Sequence, residues 1–501
     1  MKRFVLVVWL TGMAAMLSGC MVGADFDPPS APQATDYTRT PVPEQTTPVP
    51  SEFGEVQRLV AGAVVEADWW RQFGSSKLDE LVVQALQANP DLDAAEAVLR
   101  QALHTYESRA GSSLFPQVDA GLGGQRQQIN RAAFGQAEES KVFNLFHASV
   151  GVSYNLDFSG GIRRGLEALA AQADHQSYRL AGARLAIVGN VVTTAIAQAQ
   201  IHERIRIVED ILALQAEQLK ITRERFELGV ISKQEVFALR TQLEQTRATL
   251  PPLRRQLEQT NDLMAVLLGQ TPAEAKIPRF TLSDFQLPTE LPLNLPSELV
   301  RRRPDILASE ALLQASVAHH GVSVSKLYPR ISLSADMGSQ ALTLGGLFGE
   351  GSLIWGLAGN LTQPLFNKGL RAEIRVAEAE VDAAAANYRQ TLLHAFAEVA
   401  DVLRALDSNA QALSAQSAAY QSAMSSLALV ELQYKLGVVS YLEVLVAQKQ
   451  LQETSEALSS AQAQRLLDTA ALYQVMGGEF GSASEAFSIN HCCRSTYESS
   501  R

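Results

Sequence analysis

Leu228-Gly229-Val230-Ile231-Ser232-Lys233-Gln234-Glu235-Val236 and Leu436-Gly437-Val438-Val439-Ser440-Tyr441-Leu442-Glu443-Val444 are one pattern written twice. The longer stretch Leu219 to Pro272 slides without a gap onto Leu427 to Phe480, and nine of the nineteen positions from Leu228 to Thr246 are identical. An apolar seam of Ile205, Val208, Leu212, Leu219 and Phe226 runs up to the first glycine, and Val236, Leu239, Leu243 and Leu250 resume it beyond. Steps of three, four and seven give a period near 3.5, that of a coiled coil. A glycine just past a helix, then a serine placed to cap the next, predicts two antiparallel helices joined by a tight turn. The chain therefore carries two equivalent helical hairpins, one in each of two structural repeats.

Working outward, Asn89-Pro90-Asp91-Leu92 is echoed by Arg303-Pro304-Asp305-Ile306, and each opens a helix that runs into Phe115-Pro116 or Tyr328-Pro329. Beyond each proline the period drops to two. Val118, Ala120 and Leu122, then Ala148, Val150, Val152, Tyr154, Leu156 and Phe158, alternate with polar or small residues; so do Ile331, Leu333, Ala335 and Met337, then Leu353, Trp355, Leu357 and Leu361. Alternation over about ten residues is the mark of a membrane β-strand. It predicts strand pairs at about 117–124 with 147–158 and 330–338 with 353–364. Four strands per chain cannot close a barrel, so several chains must contribute to one. Helices of 66 residues, Arg163 to Leu228 and Arg371 to Leu436, follow the two pairs, each about 100 Å long at 1.5 Å per residue. Pro251-Pro252 predicts a kink or short break in the first return helix. The fold expected is mainly α with a membrane β-barrel segment and long antiparallel coiled-coil helices. The first repeat spans 67–272 with its tip at 229–232, a proline-rich linker 273–296, and the second repeat 297–480 with its tip at 437–440.

The N-terminus reads as an address. Lys2 and Arg3 precede an apolar run from Phe4 to Leu17, too short to span a bilayer, and Leu17-Ser18-Gly19-Cys20 resembles a bacterial lipoprotein signal. Residues 1–19 are then a signal peptide and Cys20 the acylated, palmitate-bearing N-terminus; Met21 in place of an aspartate matches the outer-membrane version. Several acyl chains hold far more firmly than one. Residues 20–66, rich in Pro, Thr and Ser, read as an extended arm, and 481–501 as a polar tail expected to be disordered.

Composition excludes several classes. A net charge of −11 argues against a nucleic-acid partner. Cys20, Cys492 and Cys493 supply neither a disulfide framework nor a CxxC metal site; His491-Cys492-Cys493 could bind a soft metal, but they sit in a polar, aperiodic tail and their role is open. His319 and His320 are adjacent and point about 100° apart on a helix, so they cannot chelate together. No catalytic motif of the metalloprotease, serine-hydrolase or phosphate-loop type is present, and neither enzyme activity nor a cofactor is expected.

These features, with Trp69-Trp70, Leu295-Pro296-Ser297-Glu298-Leu299, Arg302-Arg303-Pro304-Asp305-Ile306 and Phe366-Asn367 with Gly369, resemble the outer-membrane factors of tripartite efflux systems, the TolC-like family in its NodT-type lipoprotein branch. The resemblance implies a homotrimer, with a twelve-stranded outer-membrane β-barrel and an α-barrel crossing the periplasm. By position it makes Gly229, Val230, Ser232, Gly437, Val438 and Ser440 the tips where a periplasmic adaptor, or membrane fusion protein, docks. It makes Leu442 part of an apolar ring closing the aperture, with Glu235 and Glu443 nearby. The family's aspartate beyond that leucine is replaced by Val446, while a cation is kept at Lys449; an aperture held by apolar contact rather than by an ionic ring would be less sensitive to salt, and the choice between the two stays open. The alternative places Leu442 and Val446 in the hairpin core and makes the glutamates first-turn acids favoured by the helix dipole.

The function expected is that of the outer-membrane channel of an efflux pump. It would conduct drugs or other small toxic compounds passively, with an inner-membrane transporter of the resistance-nodulation-division type supplying the energy. A type I protein secretion channel and a metal-ion efflux channel are compatible with the same residues. A coiled-coil envelope lipoprotein without a pore is the structural alternative, disfavoured by the alternating strands.

Overall fold

A computed structural model of the chain describes residues 21–30, 34, 36–129 and 141–477. The signal peptide, Cys20 and the tail with Cys492 and Cys493 lie outside the described residues. In chain order the main elements are β1 (Arg58–Ala61), α1 (Ser76–Ala88), α2 (Pro90–Leu114), β2 (Gln117–Ile129), β3 (Lys141–Leu156), α3 (Gly161–Glu227), α4 (Lys233–Leu267), β4 (Glu290–Leu293), α5 (Pro304–Ser325), β5 (Arg330–Ala341), β6 (Leu353–Thr362), α6 (Lys368–Lys435) and α7 (Tyr441–Met476). The long helices match in length between the halves: 67 and 68 residues for α3 and α6, 35 and 36 for α4 and α7. Two compact units result, and each takes part of both sequence repeats.

One unit takes in the described residues of Met1–Pro29, Val98–Gln176 and Ala308–Tyr388. Its centre is an antiparallel sheet in the order β2-β3-β5-β6. The register sets Val118 opposite Val152, Val152 opposite Ala335 and Ala335 opposite Leu357; one row along, Ala120, Val150, Met337 and Trp355 line up. Because side chains alternate, every apolar position named for the four strands falls on one face, save Phe158, which lies beyond the end of β3. On that face Leu122, Met337, Trp355 and Leu357 stand exposed. The opposite face carries Gln117, Asp119, Ser153, Ser334, Asp336 and Asn360 among glycines. Three strands run further than the alternation suggests: β2 reaches Ile129, β3 starts at Lys141, and β5 reaches Ala341. The added residues, such as Gln125 to Gln128, break the period while continuing the ladder, because pairing needs only backbone groups. At the other end β3 stops at Leu156 and β6 at Thr362, short of 158 and 364. There Asp157 turns its carboxylate onto the amides of Ile162 and Arg163 at 3.0 and 2.9 Å and opens α3 instead.

The first described residues are pinned beside this turn. The amide of Val22 donates to the Ser159 carbonyl (3.1 Å). The buried guanidinium of Arg164 donates to the carbonyls of Val22 and Gly23 (both 3.3 Å), to Asp25 (2.6 Å) and to Glu167 (2.7 Å).

The other unit takes in the described residues of Ser30–Ala97, Ser177–Leu307 and Arg389–Arg501. Here α3 is apolar enough to cross a membrane by composition, yet Val188, Val191, Val192, Ala195 and Ile196 are buried as core, and a second cluster of Ile201, Ile205, Val208, Leu250 and Leu253 packs α3 on α4. Helix α4 continues through Pro251 and Pro252 instead of breaking. Both prolines, and the residues at 247 and 248 whose carbonyls lose their donors, are exposed, so water can satisfy what the helix leaves open.

Two further strands lie where no periodicity marked any. β1 pairs in parallel with β4, Arg58 opposite Glu290 through Ala61 opposite Leu293, so the described residues hold six strands rather than four. The supposed arm and linker are thus sewn together. Val49, Phe53 and Val65 are buried, and the Gln57 amide donates to the Pro288 carbonyl (2.9 Å) and the Thr469 hydroxyl (2.8 Å). Buried Arg465 donates to the carbonyls of Leu406 and Glu55, both at 3.2 Å.

The echoed Asn-Pro-Asp and Arg-Pro-Asp do the same work twice. Asn89 accepts the Asp91 amide (2.9 Å) as a helix cap, and its own amide donates to the carbonyl of Leu267, the last residue of α4 (2.9 Å). Arg303 forks onto Asp305 and reaches the Val475 carbonyl at the end of α7 (3.3 Å). In each half the residue before the proline satisfies a carbonyl at the end of the return helix.

Candidate functional site: the two hairpin tips

Both tips close by the same hydrogen bonds. After α3, Val230 N–H donates to Arg225 C=O (3.0 Å) and Gly229 N–H to Phe226 C=O (2.9 Å); after α6, Val438 donates to Gln433 (2.9 Å) and Gly437 to Tyr434 (3.0 Å). This is the Schellman pattern, which needs a left-handed residue at its hinge, and Gly229 and Gly437 have φ of 73° and 75°. Val230 and Val438 project outward, exposed alike at 70%.

The serines that restart the helices differ. Ser232 has an extended backbone, and its amide and hydroxyl both donate to Glu235 Oε1, at 3.4 and 3.3 Å. Glu235 is therefore engaged by its own helix start. Ser440 adopts the same backbone but makes no side-chain cap bond, and Glu443 stands exposed in the first turn.

Beneath the tips one cluster joins the hairpins. Tyr441, Val444 and Leu445 of α7 pack with Leu219 of α3 and Leu239 and Leu243 of α4. Tyr441 donates its hydroxyl to Gln218 Oε1 at 2.7 Å, and its ring meets Tyr434 edge-on at 5.3 Å. Arg225 lies over the Tyr434 ring, 5.8 Å from its centroid. Burial, then the nearby Tyr434 and Glu431, raises the Tyr441 pKa far above the ordinary phenol value, so the hydroxyl stays a donor.

With Tyr441, Val444 and Leu445 turned inward, Leu442 and Val446 point away from the core, 65% and 62% exposed. Lys449 lies one turn further on the same stripe, 3.6 Å from Glu453. The alternative placing Leu442 and Val446 in the hairpin core is set aside by this geometry; Val444 and Leu445 occupy the core instead. Phe226, counted in the seam, is also exposed at the end of α3. The contacts of Gln218, Tyr434 and Tyr441 had no sequence signal beyond two tyrosines seven residues apart.

A family model described as outer membrane efflux protein matches residues 81–270 and 295–478, one segment over each repeat. The chain belongs to the outer membrane efflux protein family. It is 31% identical over 484 residues to the probable efflux pump outer membrane protein TtgC of Pseudomonas putida, covering 95% of this chain and 97% of the relative. The probable outer membrane lipoprotein SilC of Salmonella typhimurium is 27% identical, over 89% of this chain and 95% of that one. The solved outer-membrane channel OprN superposes with a TM-score of 0.82 at 27% identity, over 92% of this chain and 99% of its own. This family member is an outer-membrane channel component of an efflux pump, located in the outer membrane. The reading as a poreless coiled-coil tether is not favoured.

Proposed function

We propose that three copies of this chain assemble into one conduit, their sheets closing a twelve-stranded β-barrel and their long helices an α-barrel. The observation that carries this is the β2-β3-β5-β6 sheet: apolar residues stand exposed on one face of all four strands, and among the described residues β2 and β6 are its outer strands, each paired on one side. Such a sheet is stable in a bilayer only when its edges are closed by other strands. Each protomer's β6 would pair with the next protomer's β2, the apolar face meeting lipid and the polar face lining the bore. The test is a cysteine placed on each edge strand, one on β2 and one on β6. Crosslinked trimers in isolated outer membranes are expected, and a purely monomeric product sinks the reading.

In that assembly Cys20 carries the acyl anchor. The pinning of Val22 and Gly23 by Arg164 beside the β3–α3 turn supports an anchor held close to the barrel. The tips, with Gly229, Val230, Ser232, Gly437, Val438 and Ser440, dock a periplasmic adaptor through their exposed valines. Leu442 and Val446 form the aperture, with Lys449 and Glu443 at its margin and Glu235 committed to its cap. Conduction is passive: an adaptor that prefers the open state shifts the aperture toward it, and an inner-membrane transporter of the resistance-nodulation-division type loads the substrate. Drugs and other small toxic compounds are the expected cargo, with selectivity residing in the transporter.

A further inference from the structure

The turn between β5 and β6 is built from residues that water would not select. Residues 342–352 read Leu-Thr-Leu-Gly-Gly-Leu-Phe-Gly-Glu-Gly-Ser, with Glu350 the single charge, while Leu342, Leu344 and Phe348 are 57%, 69% and 83% exposed. It is nonetheless an ordered segment. The Thr343 side chain accepts from Gly346 N–H (3.3 Å) to cap a short 3-10 turn, Gly349 N–H donates to Gly346 C=O (3.1 Å), and Ser352 N–H to Gly349 C=O (3.3 Å).

The direction in which it folds is set by Ser339. Its hydroxyl donates to the Leu347 carbonyl and lies 2.7 Å from the Ser352 hydroxyl. Ser339 shares strand parity with Leu333 and Met337, so its side chain is on the apolar face. Ala341 has the same parity, and a Cβ on Gly346 would lie 3.5 Å from the Ala341 side chain. The turn is thus laid back over the face that carries Met337 and Trp355, away from Asp336 on the other side. Leu347 is buried in making this fold, which leaves Leu342, Leu344 and Phe348 outward.

We propose that this turn is a lipid-binding element, seating Leu342, Leu344 and Phe348 in the outer leaflet where the sheet leaves the membrane. The inference rests on the barrel reading above. Helices α5 and α6 join β5 and β6 at the opposite end of the strands, so the turn is at the end remote from the periplasm. Its apolar side chains resume the lipid face beyond Ser339, whose hydroxyl is buried against the Leu347 carbonyl, and aromatic residues at that level are favoured by the headgroup boundary.

Trp355 on the strand gives the experiment its internal control. Channels are reconstituted in phosphatidylcholine vesicles with or without bromine on the acyl chains, and tryptophan emission is compared for the unsubstituted chain, Trp355→Phe, and Trp355→Phe with Phe348→Trp. Leu344→Trp in the Trp355→Phe background is a second reporter should Phe348→Trp fail to insert. The expected result is bromine quenching lost on Trp355→Phe and restored, to a comparable loss of emission, by the tryptophan at 348. Quenching of that reporter by aqueous acrylamide instead of bromolipid puts the turn in water and overturns the inference while leaving the barrel reading intact. Quenching by neither means another copy covers the turn, and overturns it too. If the unsubstituted chain shows no bromine quenching attributable to Trp355, the barrel reading falls and the inference with it.

Discussion

Asp119 and Asp336 flank the same glycine: the register sets both opposite Gly151, one from each neighbouring strand, and continues from Asp336 to Gly356. The row of Asp, Gly, Asp and Gly therefore lies on the polar face at a single level. Gly356 leaves the room the Asp336 carboxylate uses, since a Cβ there would sit 2.8 Å from its Oδ1. In a trimeric barrel this level collects the carboxylates of three chains. Replacing both aspartates by asparagine should lower the preference for cations over anions severalfold, read as a reversal potential nearer zero across a salt gradient. An unchanged potential would remove this row from the conducting path.

Leu442→Ser should leak ions through the purified channel in planar bilayers, while stability changes by no more than about 0.5 kcal/mol because the side chain is exposed. Leu445→Ser, three residues on and buried beside Leu239, should instead unfold the hairpin end at a cost of about 2–4 kcal/mol. Equal conductance for Leu442→Ser and the parent takes Leu442 out of the gate.

Tyr441→Phe removes the one hydrogen bond to Gln218 and retains the ring contact with Tyr434. A loss of about 1 kcal/mol is expected, seen as a lower unfolding midpoint in denaturant. Adding Gln218→Leu should recover part of it, because no half-buried acceptor is then left without its donor.

Alanine at Gly229 or Gly437 meets no atom within 4 Å, so any cost is one of backbone conformation alone. About 1 kcal/mol per site is expected from a left-handed residue with a Cβ. Asparagine, which tolerates that conformation, should cost less, and thermal melts of the four variants against the parent decide it.

Asp79 gives a pH dependence. The Trp70 indole donates to it at 2.9 Å and Arg71 at 3.0 Å, and these bonds hold its carboxyl below the ordinary aspartate range. The folded value lies below the unfolded one, so this stabilisation is present above the ordinary aspartate pKa and is lost as pH falls through the folded value. Part exposure keeps it under about 1 kcal/mol. Emission from the tryptophan pair should shift in this acid window, and Asp79→Asn should remove the shift.

The parts of this architecture that could be read from sequence are those set by strict period. Alternation placed Val150, Met337 and Trp355 on one face because a strand offers only two, and the 3.5 repeat found Leu219, Leu239 and Leu243 because the hairpins bury one stripe. The β1–β4 pair escaped because four-residue strands such as Arg58–Ala61 have no period to detect, and their partner is fixed by contacts more than two hundred residues away. At the second tip the turn resets helical phase, so sequence named Leu442 but not its neighbours Val444 and Leu445 as the core pair. Nothing in the sequence singled out Arg164 and Arg465; their burial is met by backbone carbonyls, which leave no trace in composition.

The seat of the first strand has a bearing on the order of assembly. Gln57 finds its partner at Thr469, 412 positions later, and Arg465 supplies the clasp for Glu55. The stretch from Glu55 to Gln57 thus completes its contacts only once almost the whole sequence has been exported. A copy cut short within its last helix would leave Gln57 and Glu55 without these two partners, so the seating of that stretch is a closing event in biogenesis.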